Sequence, residues 1–135
     1  MLRNTKYKII IYSLVGLILL AALWFGIYFF SAQARDYRRL ADLKVWQDIL
    51  SGYYSQNGTY AVANCASGEI LSRCFIKNVG HATINDINDP INVSPYQYIV
   101  GNLSDSDYEI KFSLEAGIGG LNPGQYVWTK NGVKR

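Results

Sequence analysis

The chain has 135 residues, half of them apolar, with a formal net charge of +3 and a mean hydropathy of +0.02. That length is expected to hold one domain and excludes a large multidomain enzyme. Arg3, Lys6 and Lys8 precede the first apolar run without any acid, whereas from Ser31 onward 10 basic and 10 acidic residues balance. The positive charge therefore belongs to a tail, and nucleic-acid binding loses its main support.

Ile9 to Phe30 carries no charge, and only Ser13, Gly16 and Gly26 interrupt its hydrocarbon and aromatic side chains. As a helix this run spans about 33 Å, enough for a hydrocarbon core of about 30 Å. Tyr12, Trp24 and Tyr28 lie toward its ends, where amphipathic rings favour the membrane interface. A transmembrane helix is predicted, with Gly16 and Gly26 allowing close lateral helix packing. The competing reading is a signal peptide cleaved after Ala34, since Ala32-Gln33-Ala34 fits a small-x-small site. The run is longer than an ordinary signal core, which favours an anchor.

Arg35, Arg38, Arg39 and Lys44 follow the span, so basic residues alone set no clear orientation. Cys65 and Cys74, with eight residues between them, are compatible with a disulfide. A disulfide needs an oxidising compartment, which puts the N-terminus inside and the rest outside the cytoplasm.

Beyond the span, Leu40, Leu43, Trp46, Ile49, Leu50 and Tyr53 recur at three- and four-residue steps. Arg38, Arg39, Asp42, Lys44 and Asp48 are read as the opposite, solvated face of an amphipathic helix. No Gly or Pro intervenes before Gly52, so one helix is expected from about Lys8 to Tyr54, roughly 70 Å long. It stops at Ser55-Gln56-Asn57-Gly58-Thr59, where Asn-Gly supplies a positive φ. Ala61 to Thr83 reads as loop, with a short helical turn at Glu69–Phe75. Asn85–Pro90 is a turn cluster.

The last third reads as strands. Tyr96–Val100 is the first. Tyr108-Glu109-Ile110-Lys111-Phe112-Ser113-Leu114 alternates cleanly, with Tyr, Ile, Phe and Leu on one face. Gly101–Asp107 is a hairpin loop between them, Gly117–Gly124 a flexible connection, and Gln125–Thr129 a third strand. Asn131-Gly132 is a final turn. The sheet needs a cover, and the stripe of Leu40, Leu43, Trp46, Leu50 and Tyr53 is the long one available. The expected fold class is α+β: a long N-terminal helix packed on a three- to four-stranded antiparallel sheet. Residues 1–8 form a cytoplasmic tail, 9–30 the transmembrane helix and 31–135 an extracytoplasmic domain. Within that domain, 31–54 is amphipathic helix, 55–95 a variable loop region and 96–129 the sheet.

Chemistry finds little footing. His81 is the only histidine, and any Ser-His-Asp or Cys-His arrangement would have to use it. Cys65, Cys74 and His81 match no usual zinc spacing. Asp86, Asp89, Asp105 and Asp107 are turn formers, and Asp105-Ser106-Asp107 lacks the Gly and terminal Glu of a calcium loop. No catalytic residue, metal or cofactor is expected. Asn57-Gly58-Thr59 and Asn102-Leu103-Ser104 match the glycosylation sequon, as chance also would in a chain this rich in Asn, Ser and Thr. Tyr53, Tyr54, Tyr60, Tyr96, Tyr98, Tyr108 and Tyr126 are expected around the helix–sheet contact.

Three segments resemble type IV pilins and the pseudopilins of type II secretion. The first is Ala34-Arg35-Asp36-Tyr37-Arg38-Arg39-Leu40-Ala41-Asp42-Leu43, leading to Asn57-Gly58-Thr59-Tyr60. The second is Asp89-Pro90 with Tyr96-Gln97-Tyr98. The third is Tyr108 to Leu114-Glu115. The resemblance implies a pilin-like head on a membrane helix. Pilin precursors also carry a Gly before a Phe-x-x-x-Glu start to the apolar helix, cut by prepilin peptidase. Here Tyr7-Lys8-Ile9 opens the run, and no Glu occurs before Glu69. The acidic calcium loop of the major pseudopilins is also missing, since Gly117–Gly124 has no Asp or Glu.

These readings lead to a non-enzymatic, single-pass, pilin-like structural or interaction protein of the cytoplasmic membrane. Its expected partners are membrane lipid and other pilin-like or secretion-apparatus proteins, or a second copy through the N-terminal helix. The alternative is a secreted or periplasmic module for a small ligand, released after Ala34.

Overall fold

The computed structural model describes residues 2–79, 84 and 86–135, of which 2–6 are described as backbone alone. His81 and Asn85 lie outside the described residues.

Helix α1 runs Leu2–Asn57 without a break. Backbone contacts divide the chain into two units, Met1–Ala32 and Gln33–Arg135. The first contains a segment long and apolar enough to cross a membrane, with its large side chains, Ile9 to Phe30, exposed throughout. Gly16 and Gly26 stand on its open surface, with nothing within 4 Å of where a Cβ would lie.

The second unit is the head. Its part of α1 presents Leu43, Trp46 and Leu50, each fully buried, and Leu40, Ile49 and Tyr53, partly buried. The periodicity of these apolar positions makes this helix a lid over a sheet. Asn57 caps its end by donating from Nδ2 to Tyr53 O at 2.9 Å, and Gly58 turns the chain at φ 72°.

Helix α2, Leu71–Val79, follows, and places Leu71, Cys74 and Phe75 in the same core. It is longer than the short turn the sequence suggests and starts two residues later. Cys65 and Cys74 form a disulfide, with Cα atoms 5.4 Å apart, tying the loop before α2 to the helix.

Four strands complete the head: β1 Ile99–Leu103, β2 Tyr108–Leu114, β3 Gly124–Thr129 and β4 Gly132–Lys134. They pair in sequence order, every pair antiparallel. Asn131-Gly132 is thus the turn into a fourth strand. β1 lies three residues later than the alternation places it, and takes in residues read as hairpin loop. Tyr96 closes a turn on Val93 before the strand starts, and a bulge between Val100 and Asn102 breaks the period-2 pattern within it. Gly101 occupies the bulge, where a Cβ would come within 3.0 Å of Glu109 Cβ.

The inner face of the sheet supplies Val100, Tyr108, Ile110, Phe112, Leu114, Tyr126 and Trp128 to the core. Phe75 packs edge-on against Trp46 at 5.5 Å and Tyr53 at 6.1 Å between ring centroids. Of the tyrosines expected around the helix–sheet contact, Tyr98, Tyr108 and Tyr126 belong to the core, and Tyr53 and Tyr60 pack against it. Tyr54 stacks on Tyr60, which meets Tyr108 edge-on. Burial pushes the Tyr108 hydroxyl up to about 12.

Candidate functional site: a buried charge clasp

The stripe that seals the core does not begin at Leu43. Asp36 and Arg39 lie seven and four residues before it, in the same helical phase, and both are fully buried. Arg39 was expected on the solvated face with Arg38. It is instead the second-largest fully buried side chain among the described residues.

Arg39 is held on three sides. Its Nε and Nη2 donate to the two oxygens of Asp89 at 2.6 and 3.0 Å, a bidentate pairing. Its Nη1 donates to Asp36 Oδ1 at 2.7 Å and to Glu115 Oε1 at 2.6 Å. The Tyr96 ring covers the guanidinium, 4.8 Å from Cζ to centroid. Glu115 also takes a bidentate pair from Arg35, at 2.8 and 2.6 Å. Two guanidinium groups thus face three carboxylates.

The surplus negative charge is met by backbone. Asp36 accepts from the N–H groups of Glu115 at 3.0 Å and of Ala116 and Gly117 at 2.9 Å each. It therefore anchors the turn that leaves β2. Gly117 adopts φ 83°, and a Cβ there would strike the Leu121 carbonyl. Asp89 accepts from Ile91 N at 2.9 Å, which is the turn role its sequence implies, and binds Arg39 as well. Asp42, also read as solvated, is half-buried and accepts the Tyr98 hydroxyl at 2.9 Å.

Burial alone would lower the Arg39 pKa, but the hydrogen bonds it donates to Asp89, Glu115 and Asp36 more than offset this and raise it. The guanidinium stays charged. Burial pushes the Asp42 carboxyl up, with the Tyr98 hydrogen bond acting against it. Burial and the neighbouring Asp42 push the Tyr98 hydroxyl up. Glu115 goes the other way: Arg35 holds it below its ordinary range, against burial and with help from Arg39.

These directions fix the sign of an acid response. A depressed carboxyl stabilises the fold above its unfolded value, about 4.3, and loses that stabilisation as pH falls toward the folded value. Asp42 acts oppositely: its contribution is present at low pH and lost as pH rises through its folded value. Thermal melts of the wild type and Glu115→Gln from about pH 6 down to about pH 2 are expected to converge. The wild type starts more stable and falls further, because the variant has no Glu115 charge to neutralise.

The cluster is a clasp. Its central groups are closed to solvent, and their donors and acceptors are already paired. The remaining candidates are structural too. Asp105 accepts the Thr59 hydroxyl at 2.9 Å, and Asp107 Oδ1 accepts Tyr108 N at 2.9 Å. Asn57 and Asn102 are exposed. Cys65, Glu69 and Cys74 bring their side-chain donor atoms within 4.8 Å of one another. Both sulfurs are joined in the disulfide, so only Glu69 has a ligand atom to offer a metal.

The three segments behind the resemblance meet at this clasp. Asp36, Arg39 and Asp42 come from the first, Asp89, Tyr96 and Tyr98 from the second, and Glu115 from the third. Pro90 follows Asp89 in its turn, and Leu114 is buried directly before Glu115. Tyr60 and Tyr108 pack together at the other end of the head helix, beyond Asn57 and Gly58. Missed by sequence reasoning was the pairing, though helical phase already set Asp36 and Arg39 on the core side. Compared with family models, with curated proteins and with solved structures, the chain matches none.

Proposed function

We propose that this chain is a non-enzymatic, membrane-anchored, pilin-like component of a type IV pilus or type II secretion-type assembly. One observation carries the reading. The three segments that resemble pilins lie far apart in sequence and converge on one buried clasp, as expected if they act together to build one kind of head. The clasp joins α1 to the Asp89 turn and to the Glu115–Gly117 turn, so the head is fixed to the helix that continues from the apolar run.

The apolar run is the anchor, in the cytoplasmic membrane with its N-terminus inside. The disulfide supports a head outside the cytoplasm, because such bonds persist in oxidising compartments. With no Phe-x-x-x-Glu start, the anchor is retained rather than processed. Gly16 and Gly26 permit close approach of a neighbouring helix in lipid. Within the head, Tyr37 and Ala41 are exposed on α1.

Photo-crosslinking from Tyr37 and Ala41 in native membranes tests the reading. Products containing pilin-like or secretion-apparatus proteins, or a second copy, are expected. Recovery of the crosslinked chain as a soluble monomer would contradict it.

A further inference from the structure

Away from the clasp, metal-ligating side chains gather around the disulfide. The sulfurs of Cys65 and Cys74 and a carboxylate oxygen of Glu69 lie within 4.8 Å of one another. While the S–S bond is closed, only Glu69 has a ligand atom to offer. Breaking that bond frees both sulfurs, and the backbone holds the three residues together without it.

The holding bonds run through the whole segment. Cys65 N donates to Val62 O and Glu69 N to Ala66 O, each at 3.2 Å, closing two successive turns. Gly68 N donates to Val100 O at 2.8 Å and Val100 N to Glu69 O at 2.9 Å, which lays Glu69 along the edge of β1. Leu71 N donates to Tyr98 O at 2.9 Å and Cys74 N to Ile70 O at 3.0 Å, which sets the first turn of α2. Leu71 and Phe75, on either side of Cys74, are fully buried in the core.

The donor set selects the cation. Two thiolates and one carboxylate suit Zn²⁺, which takes Cys sulfur at about 2.3 Å and carboxylate oxygen at about 2.0–2.2 Å in a tetrahedron. Sulfurs in such a tetrahedron stand about 3.8 Å apart, inside the 4.8 Å spread of the three atoms here. Access is graded. Cys74 is buried, Cys65 half-buried and Glu69 exposed, so a cation arrives from the Glu69 side. Glu69 Oε2 accepts from Ala66 N at 3.2 Å, which turns the carboxylate back toward the cysteines.

We propose that the reduced head binds one Zn²⁺ through Cys65 Sγ, Cys74 Sγ and a Glu69 carboxylate oxygen, with water in the fourth position. The disulfide and the metal are then alternative states of one sulfur pair. The reductant is an external dithiol: its own sulfurs become a disulfide, and two electrons and two protons pass to Cys65 and Cys74. Zinc binding then releases those two protons to solvent. In an oxidising compartment the disulfide prevails, and the metal form follows contact with such a reductant. The inference concerns the head alone and stands apart from the pilin-like reading.

The test uses the full chain in lipid nanodiscs, reduced with a phosphine that is then removed without air. Competition with a chromophoric chelator measures Zn²⁺ affinity, and Co²⁺ reports its ligands through thiolate-to-metal charge-transfer absorption. The reduced chain is expected to take up one metal per chain, to show that absorption, and to keep its aromatic near-ultraviolet circular dichroism. Glu69→Gln is expected to retain the absorption and bind Zn²⁺ about tenfold more weakly. Cys65→Ser is expected to weaken binding about a hundredfold or more. Four results would each overturn the proposal. They are loss of the aromatic dichroism on reduction, one metal per two chains, unchanged affinity in Glu69→Gln, and no zinc uptake by the reduced chain at about 10 μM free metal.

Discussion

Arg39→Met is expected to destabilise the head by about 3–5 kcal/mol. The neighbouring Arg38→Ala is expected to change it by about 0.5 kcal/mol or less. Chemical denaturation of the full chain in detergent, followed by near-ultraviolet circular dichroism, measures both. The contrast follows from position. Arg38 is 62% exposed and lies 4.0 Å from Asp42, a pair screened by water. Arg39 is fully buried against Asp36, Asp89 and Glu115, and removing it strands their charges away from solvent.

Lysine is a poor substitute, because one ammonium cannot reproduce the fork to Asp89 and two further bonds. Arg39→Lys is therefore expected to lie between the wild type and Arg39→Met. Replacing the whole clasp by hydrocarbon, which is tolerated at some buried ion pairs, is not an equivalent exchange here. Asp36 also serves the N–H groups of Glu115, Ala116 and Gly117, which an apolar side chain would leave unpaired.

Trp46→Ala is the second large effect, also about 3–5 kcal/mol in the same assay. Trp46 is fully buried, the largest side chain so placed among the described residues, and Phe75 leans edge-on against it. Its loss opens a cavity bounded by a helix and a paired sheet, neither of which can easily close over it. Tyr37→Ala, at a residue 67% exposed on the same helix, is expected to change stability by about 0.5 kcal/mol or less. Equal losses at positions 37 and 46 would mean that the helix is oriented differently.

Much of this fold is written locally. Leu43, Trp46 and Leu50 announce a buried helix face through spacing alone. Tyr108, Ile110, Phe112 and Leu114 announce a strand through alternation. These patterns depend on neighbours within one element, so they survive without knowledge of the rest. β1 is harder because the bulge at Gly101 shifts the period partway along it. The clasp is harder still. Asp89 lies 50 residues from Arg39 and Glu115 lies 76 away, and no local pattern pairs them. Charged residues on a helix ordinarily mark the solvated side, and by that rule Arg39 and Arg38 look alike. Phase distinguishes them. Arg39 is four residues from Leu43 and seven from Trp46, on the sealed face, and Arg38 is not.

On the proposed function, this head stays attached to the apolar helix that precedes it. Intact-mass measurement of the chain extracted from native membranes tests it most directly. The expected result is a protein that stays with the membrane in high salt and has a mass near 15.2 kDa, including the disulfide. A mass corresponding to a chain that begins at Arg35, recovered in the soluble fraction, would contradict it.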